Sequence, residues 1–198
     1  VYADTYGTHF DHYLSLEETA NRLSTFQLTL LPGLLQTPGY RRSVVQAAYR
    51  DISLVELERR VELMTRRQQR LTEDTDFQMN VVLSESSLRL PVGGPDIMTE
   101  QLASLMKAGR LPNVNIRVVP TSVVGHPGLV IGSFTLCEFP PVEGLNLSPV
   151  VYIEGHEGAL FLDEPDDNAR YRSSWQELQR VALSAQKSRE FILEISKS

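Results

Sequence analysis

Phe77-Gln78-Met79-Asn80-Val81-Val82-Leu83, then Asp96 to Gly109, then Asn113-Val114-Asn115-Ile116-Arg117-Val118-Val119-Pro120: the reading of these three segments decides the fold. The first is short and β-branched towards its end, which predicts a strand. The second sets Ile97, Leu102, Leu105 and Met106 on one side and stops at Gly109, which predicts a helix with a glycine end. The third predicts a second strand. A strand, helix, strand unit of this length suits a right-handed parallel crossover, with an antiparallel placement left open. Between the first strand and the helix, Ser84 to Arg89 predicts a brief helical turn, broken by Pro91-Val92-Gly93-Gly94-Pro95.

Towards the C-terminus, residues 133–139, 150–154 and 159–162 read as strands, the last two joined by a hairpin turn at Gly155-His156-Glu157-Gly158. Asp166 to Leu183 carries Tyr171, Trp175, Leu178 and Ala182 at roughly helical spacing, and Ser184 caps a last helix to about Ile195. Towards the N-terminus, residues 24–30 alternate polar and apolar as a short strand does. Ser15 with Glu18 three residues on predicts a capped helix to about Arg22, after a turn or two of helix within residues 1–14. Leu31 to Tyr40 holds two Pro-Gly pairs, each marking a turn, with Leu34 and Leu35 between them as anchors to the core. Helices follow at about 40–48 and 54–72. The sum is an α+β domain, a mixed sheet of four or five strands with flanking helices. It divides into a mainly helical part (1–75), a sheet-rich part (76–165) and C-terminal helices (166–198).

The formal net charge of −6 argues against direct binding of nucleic acid, whose phosphates need a basic surface. It is equally unsuited to an anionic membrane surface. No apolar run approaches the length of a membrane span. The one cysteine, Cys137, excludes an intrachain disulfide and sits in a strand-like run, where it reads as a small buried hydrophobe. These features lead us to expect a cytoplasmic protein. The chain starts without methionine, so a trimmed product that has lost an upstream domain is expected.

Candidate chemistry is thin. His9 and His12 could share a helical face, with Asp4 and Asp11 near, but the pair lacks a zinc pattern, and neither a metal nor a cofactor is expected. Gly93-Gly94 precedes a helix start that could receive an anion; Pro95 removes a donor there and Asp96 adds a charge, so a structured turn is the plainer reading. The acidic run Asp163-Glu164-Pro165-Asp166-Asp167 suits a helix start. Glu85 and Arg89, four apart, read first as a local ion pair, and as ligand contacts if they line a cleft. In the 54–72 helix, Arg59, Arg60, Arg66, Arg67 and Arg70 make the most basic stretch; a solvated face is the plainer reading, contact with a partner the sharper one.

Several motifs together resemble a known family. They are Pro32-Gly33-Leu34-Leu35-Gln36-Thr37 with Tyr40, Leu88-Arg89 with Pro91-Val92-Gly93-Gly94, Pro112-Asn113-Val114, His126-Pro127-Gly128, Val151-Tyr152-Ile153-Glu154, and Ala182-Leu183-Ser184 with Ser188-Arg189. The chain resembles the DUF5753 domain, the C-terminal part of actinobacterial XRE-type helix-turn-helix regulators of the Scr1 antitoxin-like type. The resemblance implies an N-terminal DNA-binding domain that this chain does not include. It also implies a small DUF397-type protein as partner, contact with DNA only through the attached domain, and no catalytic residues to carry over. Glu85-Ser86-Ser87 departs from the family pattern.

The leading expectation is therefore a sensor or protein-interaction domain of a transcription regulator. A small-molecule site or an enzyme would gather Glu85, Arg89, His126 and Glu154 in one pocket, with no catalytic role assigned to any of them. A dimerisation module would bury a large apolar face in a homodimer.

Overall fold

A computed structural model describes residues 8–155 and 158–197, with the side chains of Thr8 and His9 outside the description. The expected turn residues His156 and Glu157, and the His9 half of the histidine pair, therefore lie outside the described residues. The elements in chain order are α1 (Thr8–Thr19), β1 (Arg22–Gln27), a 3-10 turn (Gly33–Leu35), α2 (Pro38–Ala48), α3 (Leu54–Gln68) and α4 (Arg70–Glu73). They continue with β2 (Gln78–Ser84), α5 (Glu85–Arg89), α6 (Pro95–Ala108), β3 (Val114–Val119) and α7 (Gly128–Ile131). The chain closes with β4 (Phe134–Glu138), β5 (Val150–Gly155), β6 (Gly158–Leu162), α8 (Pro165–Val181) and α9 (Ala185–Ile195).

All six strands form one mixed sheet in the order β3-β2-β1-β4-β5-β6, so it is wider than the four or five strands expected. The deciding unit is parallel: β2 pairs with β3 from Met79↔Val114 to Ser84↔Val119. β1 also runs parallel to β2, whereas β4, β5 and β6 join antiparallel. The sheet thus has a parallel half and an antiparallel half that meet between β1 and β4.

Strand alternation sorts side chains onto two faces. On one face Leu23, Met79, Val81, Leu83, Val114, Ile116 and Val118 form a core with Met98, Leu102 and Leu105 of α6 and Ile192 and Ile195 of α9. On the other, Phe26, Val82, Phe134, Leu136 and Val151 pack against Trp175, Leu178 and Ala182 of α8. The chain passes from the α8 face to the α9 face around the β3 edge. There Leu183 N–H donates to Val118 O at 2.8 Å, and Ser188 Oγ accepts from Val118 N–H at 3.0 Å. Arg117 donates to the carbonyls of Leu183 and Ala182 at 2.8 and 2.9 Å. An edge strand whose polar groups are occupied in this way is protected from pairing with another chain.

Local chemistry explains where elements start. Ser53 and Ser184 cap α3 and α9, accepting from Glu56 N–H at 3.2 Å and Lys187 N–H at 3.3 Å. Two expectations are corrected. Ser15 is no cap: it lies inside α1, and its hydroxyl donates back to Asp11 O at 3.1 Å. This is the other use of a helical serine. Pro38-Gly39 is no turn: Pro38 occupies the first position of α2 behind the cap Thr37, where its missing N–H costs nothing. Gly93 (φ 74°) does need glycine, because a Cβ would meet Ile97 and Ser43 of α2. The Pro91–Pro95 segment is accordingly a structured turn. Among the described residues no helix is long and apolar enough to cross a membrane.

Candidate functional site

The run Pro32 to Thr37 is a single 3-10 turn between extended residues, buried from Leu34 on, and its polar groups need partners. Glutamine amides supply most of them. Gln101 accepts from Thr37 N–H at 2.6 Å and donates to Leu35 O at 2.7 Å. Gln36 Nε2 donates to Leu31 O at 2.7 Å, and Gln68 Nε2 to Gln36 O at 2.5 Å. The Tyr40 hydroxyl accepts from Leu31 N–H at 3.2 Å. Leu34 and Leu35 fill the core beneath, as expected. The motif is a scaffold that fixes α2 and α3 above the sheet.

The space left between them is a cavity of about 670 Å³. Small-molecule sites span roughly 300–1,000 Å³. Its floor is the sheet face at the β1–β4 seam: Thr25 and Gln27 of β1, Thr135 of β4, Tyr152 and Glu154 of β5. Here alternation brings threonine and glutamine to a face that in the parallel half carries Leu23, Met79, Val81, Leu83, Val114, Ile116 and Val118. Above, α2 contributes Arg41, Val44, Val45 and Ala48, spaced so that one helical face lines the space. α3 contributes Arg60 and Arg67, two turns and about 10 Å apart along the axis. Pro32, Gly33, Leu34 and Gln36 form one end, and Phe10, Tyr13 and Glu17 of α1 close a side.

Three of the five arginines expected on a solvated face turn inward, which corrects that reading. Arg67 grips the buried Glu17 with two nitrogens at 2.6 and 2.7 Å, and the Tyr13 hydroxyl donates to the same carboxylate at 2.8 Å. Arg70 lies over the Phe77 ring, 4.1 Å from its centre, and donates to the carbonyls of Glu17 and Ala20 at the C-terminal end of α1. Arg60, buried, pairs with Glu56 at 2.9 Å and stacks on Tyr49 at 4.4 Å. The Arg67 and Arg70 contacts pin the C-terminal end of α1 to α3 and α4. Towards its start, α1 rests on rings: Tyr13 stacks on Tyr152 at 4.2 Å, and His12 meets Phe161 edge-on at 4.4 Å. Burial, with Glu17 adding to it, holds the Tyr13 hydroxyl firmly protonated.

Of the site residues expected from sequence, the structure places Glu154 in the cavity wall together with Pro32, Gly33, Leu34 and Gln36. Glu154 stands at an exposed part of the wall. Withdrawal of its carboxyl from bulk water raises its pKa, against the opposing pull of Arg41. The other three are elsewhere, so the expected four-residue pocket does not form. Glu85 and Arg89 make their ion pair at 2.6 Å beyond the end of β2, where Glu85 also accepts from the Thr121 amide at 2.8 Å and hydroxyl at 3.0 Å. Burial works to raise the Glu85 carboxyl, but the Thr121 and Arg89 hydrogen bonds outweigh it, and the group sits below the usual carboxylate value. His126 lies on the opposite sheet face, edge-on to Phe26, and burial lowers its pKa. Cys137 is fully buried, its thiol pushed up to about 12 by burial and by Glu17, which suits a core residue. Sequence reading missed Arg41, Thr25, Gln27 and Thr135. The available signal was the polar residues at inward positions of a central strand.

Among the described residues, no three metal-ligating side chains converge. No curated protein and no solved structure matches the chain. A family model described as a domain of unknown function, DUF5753, matches residues 10–194, which takes in the scaffold loop, the cavity and the whole sheet. The chain belongs to the DUF5753 family.

Proposed function

We propose that this chain is the signal-receiving domain of a helix-turn-helix transcription regulator, of the XRE-type, Scr1 antitoxin-like kind found in actinobacteria. One observation carries the reading: the cavity has α1 as a wall, so what fills the cavity bears on the helix nearest the start of the chain. In the regulators that the sequence resembles, the DNA-binding domain precedes this one. A ligand that binds two placements of α1 with different affinity would shift the balance between them and so the placement of that domain. The net charge of −6 is consistent with DNA being read elsewhere in a cytoplasmic regulator.

A second reading, that the signal is a small DUF397-type protein, is favoured by a different observation. Val124, Leu129 and Val130 stand 99%, 62% and 90% exposed within seven residues of chain. Exposed apolar side chains grouped in this way are a common mark of protein contact.

The test uses the complete gene product and the small protein encoded beside it. The receiving-domain reading expects the intact regulator to shift its own promoter DNA, and Ala48→Trp, which plugs the cavity at an exposed point of its wall, to change that shift several-fold. An unchanged shift overturns it. The partner reading expects the two proteins to co-purify and fails if they elute apart. The elution volume also reports a homodimer.

A further inference from the structure

We infer that the cavity takes a small neutral molecule carrying several hydroxyls, a monosaccharide or a polyol. This rests on the receiving-domain reading and deepens it by naming what the site binds.

The charge of the walls decides against an ion. Arg41, Arg60 and Arg67 enter the cavity from α2 and α3, and each is engaged. Arg67 is held by Glu17, Arg60 by Glu56 and the Tyr49 ring, and Arg41 lies within electrostatic reach of Glu154. Each cation is thus set against a carboxylate. An anion finds no spare guanidinium, and a cation finds no unmatched carboxylate. Taking an ion out of water without a partner is costly, so the space favours a neutral ligand.

Hydrogen-bond directions on the floor say which neutral ligand. Thr25 Oγ1 lies 3.0 Å from Phe134 O, and a carbonyl only accepts, so the Thr25 proton is used there. Thr135 Oγ1, 3.0 Å from Thr25 Oγ1, must then donate to it. The Gln27 group 2.9 Å from Thr25 Oγ1 must likewise be its NH₂. Acceptor capacity remains on Thr135 Oγ1 and on the Gln27 carbonyl oxygen, neither of which takes a hydrogen bond among the described residues. Two other lining groups still hold a proton. Ser133 Oγ accepts from Leu28 N–H at 3.0 Å, and its own proton has no acceptor among the described residues. Tyr152 is 7% exposed, and its hydroxyl has no hydrogen-bond partner among the described residues. That hydroxyl is not sealed within protein but open to the space its residue lines. A ligand must therefore donate to some of these groups and accept from others. An alcohol hydroxyl does both. An apolar ligand would leave the groups dry and unpaired, which costs binding.

The experiment is calorimetric titration of the chain with glucose, galactose, ribose and myo-inositol, against gluconate, glucosamine and cyclohexanol. The controls carry a negative charge, a positive charge and a single hydroxyl. We expect at least one of the four neutral probes to bind saturably, and at least ~10-fold more tightly than any control. Tyr152→Phe removes a hydroxyl that no described residue bonds, so it should leave urea unfolding unchanged and weaken binding about 5-fold or more. Thr135→Val should weaken binding to a similar extent, with circular dichroism confirming that it remains folded. A control binding equally well, binding unchanged in either variant, or no binding by any of the four overturns the inference. A promoter shift that still responds to Ala48→Trp without binding of these probes sinks this inference alone.

Discussion

Arg67→Met tests whether the buried pair with Glu17 holds α1 in place. Glu17 is 4% exposed, and its carboxylate takes both Arg67 nitrogens and the Tyr13 hydroxyl. Removing Arg67 leaves a buried charge with one donor. Breaking a buried pair in this way costs about 3–5 kcal/mol. For a domain of this size each kcal/mol lowers Tm by about 2–4 °C, so the loss is on the order of 6–20 °C. The double variant Glu17→Leu with Arg67→Met removes both charges together. It leaves only the Tyr13 hydroxyl unpaired, at about 1–3 kcal/mol. The double variant should therefore be more stable than Arg67→Met alone, and the cycle should show coupling of about 2 kcal/mol or more. Urea unfolding followed by circular dichroism, with the same slope for all four proteins, measures this. A loss under about 1 kcal/mol for Arg67→Met, the value of an exposed pair, would refute the reasoning. So would a double variant that loses the sum of the singles.

Three further outcomes follow. Gln101→Leu strands Thr37 N–H and Leu35 O in the interior and should cost about 2–5 kcal/mol in urea unfolding; a cost near zero would mean the scaffold loop finds other partners. The Cys137 thiol, at about 12, should stay inert to a thiol reagent at pH 8 in the folded protein and titrate fully in denaturant, and rapid native labelling would contradict its burial. Glu85 has a folded pKa below its ordinary 4.5, so its contribution to stability is complete above that value and disappears as pH falls through the lower folded value. Glu85→Gln should therefore flatten the acid limb of the stability–pH curve, and an identical limb in both proteins would show that Glu85 contributes nothing there.

The parts of the fold legible in the sequence are those set by local pattern. The strand at 78–84, the helix at 95–108 and the strand at 114–119 announce themselves by β-branching, periodicity and a terminal glycine, and Ser184 announces α9 by its cap. Ser15 shows the limit of local pattern. A serine three residues before a glutamate fits a capping box, but the same serine can bond back within a helix, and only the turns before it decide. Pro38-Gly39 is ambiguous in the same way, because proline opens helices as readily as turns. The cavity was less legible because its walls come together across long separations. Arg67 reads as a surface residue until Glu17, fifty positions away, is placed against it. Glu154 lines the cavity; nothing in the neighbourhood of Arg41 marks it, and Thr135 shows only as a polar residue in a strand whose inward face the local pattern does not fix.

Topology gives a reason why the cavity lies where it does. From β1 the chain builds β2 and then β3 on one side, and afterwards returns to place β4 on the other. In open α/β sheets, ligands settle outside the carboxyl end of a strand where the connections part in this way, because the covering helices diverge there and leave a crevice. β1 is that strand here. Thr25 and Gln27 lie at its carboxyl end, and the chain leaving it becomes the Leu31–Thr37 scaffold that lines the opening. The neighbour across the seam is antiparallel β4, so no crossover helix fills the gap between them. α2 and α3 bridge it from above and α1 closes it from the side, which is how residues from four separate parts of the chain come to face one space. On this argument the polar floor is tied to the switch in strand direction. Thr25→Val with Thr135→Val would carry the apolar character of the parallel half across the seam and extend the core there, at the loss of the hydroxyl pair that now joins β1 to β4.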